Sequence, residues 1–178
     1  EGSPLVNSSI IETDQDNNIW VSYAHSVSSM LVKFDSQGNQ LCTADSLPVD
    51  SVPVSLAIDP NKNVWVCCYN TNTVDLYDSV AGQQLSSIDT GFIHPSYVAL
   101  DREANVWFTH GYNFCSKYDI RTHQLSTWKF EDGLSVITEH NEPYSSEEQQ
   151  QAIYENEIWA GLGIDVYNRV WVVDKVEN

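Results

Sequence analysis

The chain has 178 residues, 42% hydrophobic and 11% aromatic, with 25 acidic against 8 basic residues and a formal net charge of -17. That length and composition fit one folded domain with a sizeable core and exclude a disordered chain. The negative charge repels phosphate backbones and anionic lipid, which argues against nucleic acid as a partner, and no run nears the roughly 20 apolar residues of a membrane-spanning helix.

The chain begins at Glu1 with neither an initiator Met nor a charged segment leading into an apolar one. A signal peptide is therefore expected to be absent or removed. The first phrase, IIETDQDNNIWVS, predicts strands over 10–14 and 19–23, followed by strands over 30–35 and 40–44. Asp14, Asp16 and Asn18 resemble the start of a calcium loop (DxDxN). The sixth-position glycine and closing Glu of such a loop are missing, so turn chemistry is the reading.

The second phrase, LAIDPNKNVWVC, predicts strands over 54–59, 64–69, 73–78 and 84–90. The third, VALDREANVWFT, predicts strands over 97–101, 106–110, 114–119 and 124–130. Each is a short run of β-branched and aromatic residues bounded by Asn, Asp, Gly or Pro. Residues 131–158 interrupt the rhythm with eight acidic residues and no Lys or Arg. Ser146 and Gln149 resemble a capping box, and EEQQQAIYENE predicts a short helix. This acidic insertion reads as a solvated excursion or as a docking loop. The last phrase, LGIDVYNRVWVV, opens a fourth unit over 158–178.

Asp14, Asp59, Asp101 and Asp165 each precede a Trp (Trp20, Trp65, Trp107, Trp171) by six residues. A phrase recurring at about 40 residues marks a repeat architecture. Asn18, Asn63 and Asn105 stand two residues before Trp, where a left-handed turn residue is expected, and Arg169 breaks that pattern. The small-apolar first strands (Leu56-Ala57-Ile58, Val98-Ala99-Leu100, Leu162-Gly163-Ile164) read as buried on both faces, and the Trp residues as filling between sheets. Cys42, Cys67, Cys68 and Cys115 contain no CxxC pair and read as free core residues.

The runs NVWVCCYNTNTVDLYD, NVWFTHGYNFCSKYDI and GIDVYNRVWVVD resemble blades of the NHL-repeat, gluconolactonase-like and virginiamycin B lyase-like β-propellers. The resemblance implies an all-β fold, a β-propeller of four-stranded antiparallel blades over 8–47, 54–90, 95–130 and 158–178. About three and a half blades are expected. Fourteen predicted strands fall short of the sixteen that even a four-bladed ring needs, so the chain is expected to be part of a larger ring, within a longer polypeptide or completed by another chain.

In propellers the loops after the second and fourth strands of a blade open on one face. Here those loops carry Tyr23, His25, Tyr69, Asn70, His94, His110, Tyr112, Asn113 and Asp174. The first functional reading is a non-catalytic module for binding or assembly, with a protein or glycan partner, inside a larger protein or a particle such as a virion or cell-surface assembly. A soluble, extracellular or particle-associated location goes with it. The alternative, implied by the resemblance, is a metal-dependent lyase or lactonase-type enzyme with His94, His110 and His25 as candidate catalytic groups. His110 stands where the lyase-like blade carries Glu. The residues themselves assign no metal ligands and no cofactor; a divalent metal enters only through the resemblance.

Overall fold

The structure is a computed structural model, and it describes residues 9–24, 29–43, 51–91, 94–110, 114–129, 134–137 and 161–173. The chain divides into two compact units, Glu1–His94 and Pro95–Asn178. Among the described residues there is no helix, and none long and apolar enough to cross a membrane.

The first unit holds two four-stranded antiparallel sheets. Sheet 1 is β1 (Ser9–Thr13), β2 (Ile19–Tyr23), β3 (Met30–Phe34) and β4 (Gln40–Thr43). Sheet 2 is β5 (Pro53–Ile58), β6 (Val64–Cys68), β7 (Thr73–Tyr77) and β8 (Gln84–Asp89). The second unit holds sheet 3, formed by β9 (Pro95–Leu100), β10 (Val106–His110), β11 (Phe114–Asp119) and β12 (Gln124–Lys129). In the three full sheets the spatial order is the chain order, because each turn is too short to do anything but return the strand beside its predecessor.

Sheet 4 differs. It contains β13 (Leu134–Ile137), β14 (Gly161–Ile164) and β15 (Val170–Val173) in the order β13-β15-β14. Leu134–Ile137, which the sequence reading assigns to the acidic insertion, pairs with the free edge of β15 from Leu134↔Val173 to Ile137↔Val170. Four alternating residues, LSVI, have β character that the surrounding acidic composition conceals. The predicted helix lies outside the described residues.

The Asp-to-Trp interval is a hydrogen-bonded device. Asp14 Oδ1 accepts from the main-chain N–H groups of Asp16 and Asn18, both at 2.9 Å, and its Oδ2 accepts from Asn18 Nδ2 at 2.9 Å. Asp101 repeats the set with Glu103 N, Asn105 N and Asn105 Nδ2 at 3.0, 2.8 and 3.0 Å. The left-handed residue is not the Asn before Trp, as expected, but its predecessor: Asn17, Lys62, Ala104 and Asn168, with φ from 61 to 69°. Asn18, Asn63 and Asn105 instead serve through their side-chain amides. In the fourth turn Arg169 Nε takes over that role, 2.6 Å from Asp165 Oδ2. The departure in sequence is a substitution of one N–H donor for another.

Two of these carboxylates reach the indoles. Trp107 Nε1 donates to Asp101 Oδ2 at 3.0 Å and Trp171 Nε1 to Asp165 Oδ2 at 2.9 Å. Where the residue opposite Trp on the third strand is Lys, the ammonium completes the bracket. Lys33 faces Trp20, lies 5.3 Å over its ring and sits 3.1 Å from Asp14. Lys117 faces Trp107 at 5.6 Å and is 3.8 Å from Asp101. Opposite Trp65 stands Leu76, which supplies no cation.

Trp20, Leu31, Leu56, Val64, Val66, Cys68 and Tyr77 form the core of the first unit, between sheets 1 and 2. Trp107, Cys115, Val170 and Val172 form a core cluster of the second unit. One buried indole removes 150–250 Å² from water, a gross transfer of about 4–6 kcal/mol. The strands buried at every residue are the second ones, β6 and β10, whereas the small-apolar first strands β5, β9 and β14 keep partly exposed residues. The expectation of first strands buried on both faces is corrected here: in sheets 2 and 3 they lie at the sheet edge, while the second strands have a neighbour on each side. Pro53 and Pro95 each begin such an edge strand, where a missing N–H costs no ladder bond.

Candidate binding site

The residues singled out in sequence do not share one fate. His25, Tyr112, Asn113 and Asp174 lie outside the described residues. Tyr23 ends β2 with 37% of its surface exposed. Tyr69, Asn70 and His94 lie in the loops of the first unit, and the fold brings Tyr69 and His94 together although 25 residues separate them.

Their rings stack at 3.9 Å between centroids with an interplanar angle of 4°. Main-chain bonds hold both residues. Tyr69 N donates to Val52 O at 2.8 Å, and His94 N donates to Asn72 Oδ1 at 2.9 Å. Asn72, with φ 57°, is also the acceptor for Thr90, whose N and Oγ1 approach its carbonyl at 3.2 and 3.0 Å. His94 itself adopts φ 64°, an uncommon conformation for a non-glycine residue, stabilised here by the stack and the Asn72 bond. Asn72 thus organises the pair. The sequence reading passed over its role, because the signal lay in a distant partner, 22 residues away.

His94 Nδ1 lies 3.2 Å from the carbonyl oxygen of Tyr69. A carbonyl only accepts, so Nδ1 carries the proton and, in the neutral ring, Nε2 carries the lone pair. Both rings are half-buried, a partly preformed aromatic surface of the kind that suits recognition.

His110 is placed differently. The sequence reading put it on the exposed face; it is the last residue of β10, and its ring is fully buried. Nε2 lies 2.8 Å from Ser116 Oγ, which is 2.7 Å from Thr127 Oγ1, and the imidazole stacks on Phe114 at 5.8 Å. The strand ends at the expected residue, but its last position packs inward, against Phe114 and Ser116, and not on a loop. The equivalent place in sheet 2 holds Cys68, whose Sγ is 3.4 Å from Asp75 Oδ2, while Ser87 Oγ donates to Asp75 Oδ1 at 2.5 Å. Asp75 is fully buried. Paired strands therefore carry a polar triplet through each blade, His-Ser-Thr in one and Cys-Asp-Ser in the other.

The cysteines are core residues, as expected. Burial pushes the thiols of Cys67, Cys68 and Cys115 far up, with Asp75 adding to the shift at the first two. Cys42 is half-buried and its thiol is raised, mainly by burial. The lyase-like blades imply a divalent metal held by imidazoles or carboxylates. Among the described residues no three or more His, Cys, Asp or Glu side chains gather to hold one, and His94 spends Nδ1 on a main-chain carbonyl. These residues do not form that donor set.

Consecutive four-stranded antiparallel sheets, each opened by the same Asp-to-Trp turn, define a class of protein: the β-propeller repeat proteins. Solved structures of that class are similar to this chain. Virginiamycin B lyase from Staphylococcus aureus superposes with a TM-score of 0.66 at 15% identity, over 92% of this chain and 47% of the lyase. A streptogramin B lyase gives 0.58 at 17% identity, over 70% of this chain and 43% of the other. A protein of unknown function from Bacteroides caccae gives 0.58 at 13% identity, over 98% of this chain and 70% of that one. The chain spans less than half the length of the two lyases. No protein-family profile and no curated protein matches the sequence. Identities this low establish the fold alone.

Proposed function

We propose that the chain is a non-catalytic β-propeller module for binding or assembly, part of a larger protein or particle, and that Tyr69 and His94 centre its contact face. The observation that carries this reading is the parallel stack of the two rings, fixed by main-chain bonds at both residues. Aromatic side chains held rigidly lose little entropy when a partner lands on them, which is why they dominate binding energy at interfaces. The buried setting of His110 removes one of the candidate acid–base groups from any surface a substrate meets.

The test is association in the protein's own source. Tagged full chain is recovered and sized, beside Tyr69→Ala and His94→Ala variants of matched circular dichroism. The wild type is expected in an assembly well above its own 20.1 kDa, and the variants as free chain. A wild type that travels alone, or variants that stay in the assembly, overturns the reading. Conversion of quinupristin, with which a catalytically inactive virginiamycin B lyase was crystallised, by the purified chain with an added divalent metal would also overturn it, in favour of the lyase-type enzyme.

A further inference from the structure

The two units build the same seam between neighbouring sheets, and among the described residues only one of them closes it. Between sheets 1 and 2, Trp20 has no exposed surface, and Lys33, 6% exposed, reaches across to the carbonyl oxygen of Ser79 at 3.3 Å. Between sheets 3 and 4 the corresponding Lys117 keeps 30% of its side chain exposed, and a cleft of about 910 Å³ opens beside it. The seam that packing fills in the first unit is a cavity of ligand size in the second.

Its walls have a definite chemistry. Of the residues lining it, only Ile120 and Val170 are aliphatic. Trp128 stacks on Trp107 at 5.3 Å and 24° and remains half-buried rather than sealed. Tyr167, 76% exposed, stands on the sheet 4 side with Arg169 packed 5.3 Å from its ring. Lys117 is held between Trp107 and Asp101, and Arg121 is exposed at the rim beside Asp119.

We propose that this open seam is a carbohydrate-binding cleft in which Trp128 is the stacking platform and Lys117 and Arg121 donate hydrogen bonds to ring hydroxyls or an acidic substituent. A pyranose offers an apolar C–H face to an indole and a rim of hydroxyls to fixed donors and acceptors. A polypeptide strand would bury aliphatic side chains, for which this lining supplies little surface. A membrane surface is disfavoured by the overall charge of -17.

The experiment is a glycan array of neutral and sialylated oligosaccharides probed with the full chain, followed by tryptophan-fluorescence titration of the strongest hit. At least one glycan is expected to be retained and to change the emission, with binding at least tenfold weaker in Trp128→Ala and Arg121→Ser and unchanged in Val80→Ser, an exposed position outside the cleft. Arg121 is exposed and its N–H bond to Asp119 is a main-chain one, so Arg121→Ser keeps the fold and decides alone if Trp128→Ala does not fold. No glycan above background, or equal affinity in the folded cleft variants, overturns the proposal. So does capture of a peptide by wild type but not by Arg121→Ser with every glycan silent, which would give the seam to a polypeptide.

Discussion

Replacing Asp14 by Asn tests the device on which every repeat turns. Asp14 is 5% exposed, and its carboxylate takes three N–H bonds at 2.9 Å and the Lys33 ammonium at 3.1 Å. Burial pushes its carboxyl up, but the Asn18 amide, the main-chain N–H of Asn18 and the Lys33 ammonium outweigh this and hold it below its ordinary 3.8. In Asp14→Asn one oxygen still serves the two main-chain donors. The new amide then points N–H groups at the Asn18 amide and at an ammonium that is 6% exposed. Removing one partner of a buried pair costs about 3–5 kcal/mol, and about 3 kcal/mol is expected because the amide oxygen still serves the two main-chain donors. Lys33→Met leaves the carboxylate its N–H bonds and should cost about 1.5–2 kcal/mol. The double variant should cost less than the sum of the two, since neither charge is then stranded. Urea unfolding followed by tryptophan emission measures all three. Single losses under about 0.5 kcal/mol, or strictly additive ones, would refute the reasoning. The sign in pH is fixed by the lowered carboxyl. Its contribution is complete above 3.8 and is lost as pH falls through the lower folded value, so the wild-type midpoint should drop more steeply below pH 3.8 than that of Asp14→Asn.

Three further outcomes follow from the same geometry. Tyr77 is 2% exposed and its hydroxyl has no hydrogen-bond partner among the described residues, so Tyr77→Phe should be neutral within about 0.5 kcal/mol or stabilising by urea unfolding, and a larger loss would show a hidden partner. Thiol labelling at pH 8 of the native chain should reach Cys42 first and leave Cys67, Cys68 and Cys115 unmodified until unfolding, because burial raises all three; rapid native labelling of Cys68 would contradict its place in the core. Nitrogen-15 NMR should find neutral His94 as the Nδ1–H tautomer and lose that preference in a Tyr69→Pro/His94 chain whose loop carbonyl is displaced; a wild-type Nε2–H tautomer would refute the carbonyl contact.

Much of the fold is legible in the sequence because its causes are short-range. The six-residue interval from Asp to Trp is one turn and one carboxylate, so Asp14, Asp59, Asp101 and Asp165 announce four sheets before any contact is known. The strands of the first three blades appear in the structure within a residue or two of their expected bounds. The finer turn assignment missed by one position, because the left-handed residue and the amide donor are neighbours with similar composition. Leu134–Ile137 escaped because a strand needs a partner edge, and β15 lies more than thirty residues away.

The site was less readable. Sequence supplied a set of aromatic, amide and imidazole residues after the second and fourth strands. It could not say that Tyr69 and His94 stack while His110 turns inward to Ser116, since a shift of one residue along a strand exchanges the two faces. Nor could it say that the same Lys–Trp–Asp bracket is sealed beside Ser79 and open beside Tyr167. By itself the sequence determined the repeat, the place of its turns and the strands of the first three sheets, because hydrogen bonds within six residues specify them. Only the tertiary structure decided which rings meet and which seam stays open, because those depend on strand register and on packing between segments far apart in the chain.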